Sequence, residues 1–466
     1  MTDPIYARRL RQLLYLLVIL LTFEGIARKA APSQLRVPIF LLKDVFVLIM
    51  GTYVLRMPLP AMLQSLGKAY IFLMVLLVPP LLVTAVHDPL LAVFGAKQYL
   101  LYPIVGFATY LAFEDSKQEA ILTFYRRISL LIIPTTLFAV VQSRLPSDHW
   151  INMSVSGESL RGFSAGGELR VSSTFSFVAQ YCAFLNAQSF IILLGLHGWS
   201  KQTLLWKIVG LTLLPALILG CFITGSRGAV AGNISIILVG AILVAMKFRI
   251  RNLVQIFLTM VMLYAGVLAI NYFFPHATAA YSAREDGRLI GFSAEIRGRV
   301  FDSFFNLSTD KSLHTFWGNG LGVMSNGADT FSSYAAAWRV RTWTETDFAT
   351  TLFEGGLYTV LVWYGFRAFV ILKTVGHFLS DASPELSVPL AFCQAFVIIL
   401  GVLAGLALQP PIAIWWWFGV GTALVFYWKC IEPPETVQKR DEVPPPPPVK
   451  KLRGRSLYAD VIHPDK

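Results

Sequence analysis

The sequence predicts an all-α, polytopic integral membrane protein, and three observations carry that prediction. Of 466 residues, 55% are hydrophobic and only 14% are charged, whereas a soluble chain carries about a quarter charged residues. Mean hydropathy is +0.61. Apolar runs of spanning length recur along the chain, and a helix that closes its own backbone hydrogen bonds is the element suited to crossing lipid.

Taken in order, Arg8, Arg9 and Arg11 precede a first span at roughly 13–26, which reads as a retained signal anchor with its N-terminus in the cytoplasm. Further spans are expected at roughly 37–55, 70–86, 91–113, 120–141, 174–196, 204–224, 229–246 and 253–274. Three more fall at roughly 348–373, 388–408 and 412–428, about twelve in all. The chain thus divides into nine spans with short loops (1–274), one long extracytoplasmic loop containing short helices (275–347), three spans (348–430) and a Pro-rich basic tail (431–466).

The charge pattern orients these spans. Connections on the N-terminal side carry Arg56 and Lys68, then Lys117, Arg126 and Arg127, then Lys201 and Lys207, then Lys247, Arg249 and Arg251, and last Arg367 and Lys373. An excess of Lys and Arg marks cytoplasmic loops, so both termini are expected inside and the long loop outside. Arg28, Lys29 and Arg36, in the first outer loop, run against that rule. The net charge of +12 is therefore read as an orientation signal, with no nucleic acid implied. Cys182, Cys221, Cys393 and Cys430 lie in or beside apolar spans without metal-ligand spacing, as small buried hydrophobes do. The tail, with Pro444 to Pro448 followed by Lys450, Lys451, Arg453 and Arg455, has the composition of an extended solvated segment that can meet a partner or anionic headgroups.

Polar chemistry concentrates between Pro275 and Asp347. Arg284, Arg288, Arg297, Arg299, Arg339 and Arg341 lie there, with the cluster Gly318, Gly320 and Gly322. The apolar residues Ile296, Val300, Phe301, Phe304 and Phe305 fit one face of a surface helix. The glycines lack a following Gly-Lys-Ser/Thr, so a nucleotide loop is not expected. A second constellation, Ser226-Arg227-Gly228, is a tight turn between two spans. There a guanidinium can fork onto phosphate oxygens, or else snorkel to the headgroups. A third, Glu345, Asp347 and Glu354, places carboxylates at and inside the mouth of a span, where one can serve as a general base or favour the helix dipole. Glu24 and Arg28 have helical ion-pair spacing, while adjacent Lys43 and Asp44 diverge on a helix. Arg161 and Arg170 lie in a glycine-bearing loop on the outer side that fits a lid or substrate wall.

In this order, Ser226-Arg227-Gly228, Gly298-Arg299, Gly318–Gly322 and Phe348…Leu352-x-Glu354-x-Gly356-Leu357 resemble the O-antigen ligase and polymerase family of bacterial membrane glycosyltransferases, over residues 30–425. The resemblance implies transfer of a glycan from a polyprenyl diphosphate carrier to a glycan or lipid-glycan acceptor at the outer face of the bacterial plasma membrane. It also implies a chain-length regulator and a flippase as partners. On that reading Arg227 and Arg299 bind the diphosphate, with Arg297 competing for the second role, and Ser226, Arg339, Arg341 and Glu354 contact substrate. Members resemble one another in a histidine about eleven residues before the glycine matched by Gly356. This chain has Glu345 there and Thr346 where asparagine is frequent, and His314 does not substitute. Glutamate is a workable base, and the exchange favours a polymerase or exopolysaccharide-assembly enzyme over a ligase. Asp347 joins Glu345 and Arg299 as a catalytic candidate. The Glu345-x-Asp347 pair could suggest a metal, but the first outer loop (27–36) has no carboxylate, so metal-independent chemistry without a cofactor is expected. A flippase or precursor transporter is the alternative of another class.

Overall fold

The computed structural model describes residues 4–155, 157, 169–198, 202–246, 314–341, 346–381 and 386–431, with 261, 268, 272 and 275 as isolated positions. Eight of its helices are long and apolar enough to cross a membrane, or nine if one bent pair counts as a span. The chain is an α-helical membrane protein. The expected span at 253–274, the surface helix around 296–305 and the tail lie outside the described residues, so the comparison with twelve covers only part of the chain.

Helices α1 (Pro4–Ala30), α2 (Ser33–Arg56) and α3 (Ala61–His87) follow one another through very short turns. Helix α1 is longer at both ends than its apolar run, because hydropathy marks only the lipid-depth part of a helix. Asp88 caps the next helix, its Oδ1 accepting from the Leu90 and Leu91 backbone N–H groups at 3.0 and 3.1 Å. The span expected as one piece at 91–113 is two helices, α4 (Pro89–Leu100) and α5 (Pro103–Phe113), bent by 42°. Pro103 supplies no N–H and disfavours helical backbone before it, which fits its place at the first turn of a new helix. The freed Leu100 carbonyl is taken by the Tyr70 hydroxyl from α3.

Helices α6 (Gln118–Ser129) and α7 (Ile132–Arg144) form the next span, and α8 (Val178–Leu196) starts later than the apolar run at 174. Residues 171–177 are instead a non-helical strip whose Ser172, Ser173 and Thr174 are buried. Irregular backbone at such a position needs local partners. Ser173 N–H donates to Gln142 Oε1 at 2.8 Å, its hydroxyl to the Thr135 carbonyl at 2.6 Å, and the Ile26 N–H to the Thr174 carbonyl at 2.8 Å. Gly25 lets this strip lie directly on α1, since a Cβ there would fall 1.9 Å from the Phe175 carbonyl carbon.

Helices α9 (Leu204–Ile223) and α10 (Arg227–Ala245) are joined by three residues. After them come the short α11 (His314–Trp317), then α12 (Ser333–Arg341) and α13 (Asp347–Asp381). The last two, α14 (Ser387–Leu403) and α15 (Pro410–Ile431), have described apolar stretches shorter than the other spans. Helix α15 packs on α5, α14 on α10, and α6 on α8. Trp415, Trp416 and Trp417 are fully buried at the centre. Cys182, Cys221 and Cys393 are buried free thiols, as expected of small core residues.

Candidate functional site

Polar side chains cluster at the α9–α10 turn, around the start of α13 and between α1, α2 and α4. At the α9–α10 turn, Gly225 adopts φ +58°, a left-handed conformation that favours glycine, and lets the chain reverse within three residues. The Thr224 hydroxyl accepts the Ser226 N–H at 3.0 Å. Ser226 stands at the helix N-cap and Arg227 begins the helix, where unsatisfied N–H groups and the helix dipole favour an anion.

Into this turn comes Arg170, whose Nη2 donates to Ser226 Oγ at 3.3 Å. The sequence reading gave Arg170 no role beyond a loop wall. The two residues are 56 positions apart, so nothing local joins them. The structure thus sets two arginines at one helix N-terminus. Behind them Asn233 donates to Asn186 Oδ1 at 2.8 Å and to the Ala229 carbonyl at 3.0 Å, fixing the first turn of α10 against α8.

The carboxylates at the mouth of α13 are engaged differently from expectation. Asp347 is buried and accepts from Arg367 Nη1 at 2.5 Å on one oxygen and from the Ala407 and Leu408 N–H groups at 3.0 and 3.3 Å on the other. Arg367 in turn donates to the Gly401 and Ala404 carbonyls at 2.7 and 3.1 Å. This knot ties α13 to the α14–α15 turn. A carboxylate held on both oxygens inside protein acts as an anchor for the start of α13. Arg367, expected in a cytoplasmic connection, is fully buried in the same knot.

Glu354 is likewise engaged by protein groups. Expected at the substrate, it is buried and accepts from the Met324 N–H at 2.8 Å and the Tyr99 hydroxyl at 3.2 Å. Its backbone carbonyl takes the Gly320 N–H at 2.8 Å. The glycine cluster therefore closes on α13 rather than cradling a phosphate. Gly318, at φ +74°, would put a Cβ 2.3 Å from the Glu354 carbonyl oxygen, and Gly322 sits 2.8 Å from the Gly95 nitrogen on α4 by the same measure. Gly356 breaks helical geometry within α13 at φ +63°, ψ −171°, a region open to glycine alone.

Arg339, expected at the substrate, pairs with Asp329 at 2.8 Å and reaches Asn326 Oδ1 at 3.4 Å. Both partners are its near neighbours in the loop, so this guanidinium shapes the loop itself. Arg341 ends α12. Arg297, Arg299 and Glu345 lie outside the described residues, so the structure brings together only Ser226 and Arg227 of the proposed transfer site, with Arg170 added.

A separate group of charges is buried between α1, α2 and α4. Glu24 bonds Lys43 at 3.1 Å and Arg28 at 3.4 Å, and Asp44 bonds Lys97 at 3.0 Å and the Tyr102 hydroxyl at 2.8 Å. Lys43 and Asp44 do diverge, each finding its own partner. Lys43, Arg28 and Lys97 all face the Phe40 ring, at 3.5, 4.8 and 5.4 Å from its centroid. Among the described residues, no three His, Cys, Asp or Glu side chains gather as metal ligands.

The fold defines an α-helical membrane protein. No protein-family model and no curated protein matches the chain.

Proposed function

We propose that the protein is a bacterial inner-membrane glycosyltransferase that polymerises or transfers polyprenyl-diphosphate-linked glycan outside the plasma membrane. On this reading about twelve helices cross the bilayer, both termini are cytoplasmic, and the loop 275–347 faces outward. The observation that carries the reading is the approach of Arg170 to Ser226, the N-cap of α10 and the residue just before Arg227. Two guanidiniums and a helix N-terminus suit a diphosphate, the group that leaves in such a transfer.

The step is a substitution at the donor's anomeric carbon. An acceptor hydroxyl oxygen bonds that carbon, the bond from carbon to diphosphate oxygen breaks, and polyprenyl diphosphate departs with the electron pair. Arg170 and Arg227 neutralise the charge that builds on the leaving oxygen, with Arg299 and Arg297 supplying further charge. The acceptor's proton passes to Glu345, two residues before the Asp347 anchor that holds the start of α13. The partners are then a lipid-linked glycan donor, a glycan or lipid-glycan acceptor, membrane lipid, a chain-length regulator and a flippase.

Purified protein in lipid, given a polyprenyl diphosphate oligosaccharide, should release polyprenyl diphosphate and lengthen or transfer the glycan. Arg227→Ala should lower turnover by about 10²–10³-fold, the effect of removing one charge-stabilising donor. Wild-type turnover in that variant would remove the site from the mechanism. The buried Glu24–Lys43 pair favours a second reading, since ionisable residues inside spans also mark transport paths. Movement of intact donor without bond cleavage would select that reading.

A further inference from the structure

Arg28, Lys29 and Arg36 oppose the positive-inside rule in the proposed orientation, and the transfer site does not use them. Each residue has a place at the junction of α1, α2 and α4. Lys29 Nζ donates to the Ile151 carbonyl at 2.8 Å and Ser172 Oγ at 3.3 Å, and Arg36 Nη1 to the Val155 carbonyl at 2.7 Å. These tasks need hydrogen-bond donors, and the charge they bring is additional. Within the adjoining buried group, three cations (Arg28, Lys43, Lys97) face two carboxylates (Glu24, Asp44). Among the described residues one positive charge is in surplus, and unbalanced buried charge is costly.

The surplus sits at the edge that ligand can reach. Lys43 is completely buried, whereas the Lys97 and Arg28 side chains keep 14% and 18% of their surface. Arg28 Nε is buried with no hydrogen-bond partner among the described residues. Its described hydrogen bonds all leave through Nη1, to Glu24 and to Ser176 Oγ. Lys97 also lies 4.0 Å from the Phe94 ring centroid, so two aromatic rings floor the opening. Around it the membrane-facing residues are apolar and exposed: Leu42 and Val45 on α2, Leu90 and Val93 on α4. A pair of partly exposed cations, set against two aromatic rings and flanked by apolar side chains, matches a phosphate whose attached chain lies in the bilayer.

We propose that Arg28 and Lys97 bind the phosphate of an anionic lipid, at a site distinct from Arg170 and Arg227. The two sites are joined by one strip of chain, since Arg170 touches Ser226 and Ser176 touches Arg28. Six residues of chain span at most roughly 20 Å, so the strip holds two lipid headgroups side by side. This rests on the proposed function for its larger meaning. A lipid-linked acceptor bound here would face a lipid-linked donor at α10, as a polymerase requires and a single-lipid enzyme does not.

The test is native mass spectrometry of the full chain in detergent, titrated with polyprenyl diphosphate, phosphatidylglycerol or inorganic pyrophosphate. Wild type should retain two equivalents of phosphate-bearing lipid. Arg28→Gln and Lys97→Gln should each weaken one equivalent by tenfold or more and spare the other, which Arg227→Ala should remove. Whether polyprenyl diphosphate or phosphatidylglycerol fills the second site distinguishes a substrate from a bound bilayer lipid, and either supports the site. A single equivalent, or a second one indifferent to both glutamine variants, overturns it. So does complete displacement by pyrophosphate, which would show that no lipid chain is recognised. Loss of sensitivity to Arg227→Ala alone would count against the transfer site and leave this one standing. The more conservative Arg28→Lys, with thermal unfolding as a fold control, should restore part of the binding. Unchanged folding with no restoration would assign Arg28 to packing.

Discussion

Two buried charge groups invite comparison: Asp347–Arg367 at the start of α13, and the five-residue group around Phe40. In the first, one cation meets one anion, and every described polar atom of the pair faces protein donors or acceptors. In the second, three cations meet two anions, and two of the cations remain partly open. The lesson is that burial alone does not separate an anchor from a binding site. Charge balance and the direction of the remaining exposure do.

Breaking the balanced pair should have the largest effect. Arg367→Met leaves a buried Asp347 without its counter-charge, and removal of one partner from such a pair costs about 3–5 kcal/mol. Thermal unfolding in detergent should fall accordingly, and the double variant with Asp347→Leu should recover part of the loss. Additive losses would mean the pair is not coupled. In the unbalanced group the expected effects divide by position. Lys43→Met strips Glu24 of its closer partner and should cost about 1–3 kcal/mol. Lys97→Gln keeps a hydrogen-bond donor toward Asp44 and should cost less than the Lys43 variant, about 1 kcal/mol. If the two variants proved equal, the distinction between the closed and open halves of the group would fail.

An exposed carboxylate gives the lower end of the scale. Asp88 caps α4 and is held below the usual carboxylate range, first by the Ser332 hydroxyl and next by the Leu91 N–H. A depressed folded value means that this stabilisation is complete above the unfolded value of about 3.9 and is lost as pH falls through the folded one. Melting temperature followed from neutral to acid pH should therefore drop less steeply in Asp88→Asn than in wild type. Identical slopes would show that the cap carries no such linkage.

Much of the helical frame was legible because apolar runs of membrane length report lipid contact directly. The breaks were less so. The new helix at Pro103 lies inside what reads as one apolar span, and the late start of α8 depends on Gln142, Thr135 and Gly25 meeting the strip 171–177 from distant positions. The turn at Ser226 and Arg227 was legible from its glycines. Arg170 was not, because its partner comes from another hairpin. Asp347 and Glu354 were read as chemistry because carboxylates near a membrane are unusual. Their partners, Arg367, the 407–408 N–H groups and Met324, come from distant positions that the local sequence does not announce.

The interlocking glycines carry one more consequence, for how such a protein could be altered. Gly318, Gly322, Gly95 and Gly356 place backbone against backbone, with no side chain to trim on either side. A larger residue at any of them cannot be accommodated by a neighbouring deletion, since the neighbour has nothing left to delete. The loop carrying Gly318 and Gly322 is thus seated on a lock with a single key, whereas Val340, 89% exposed on α12, is under no such restraint. Efforts to alter this loop should randomise the exposed face of α12 and leave the four glycines untouched.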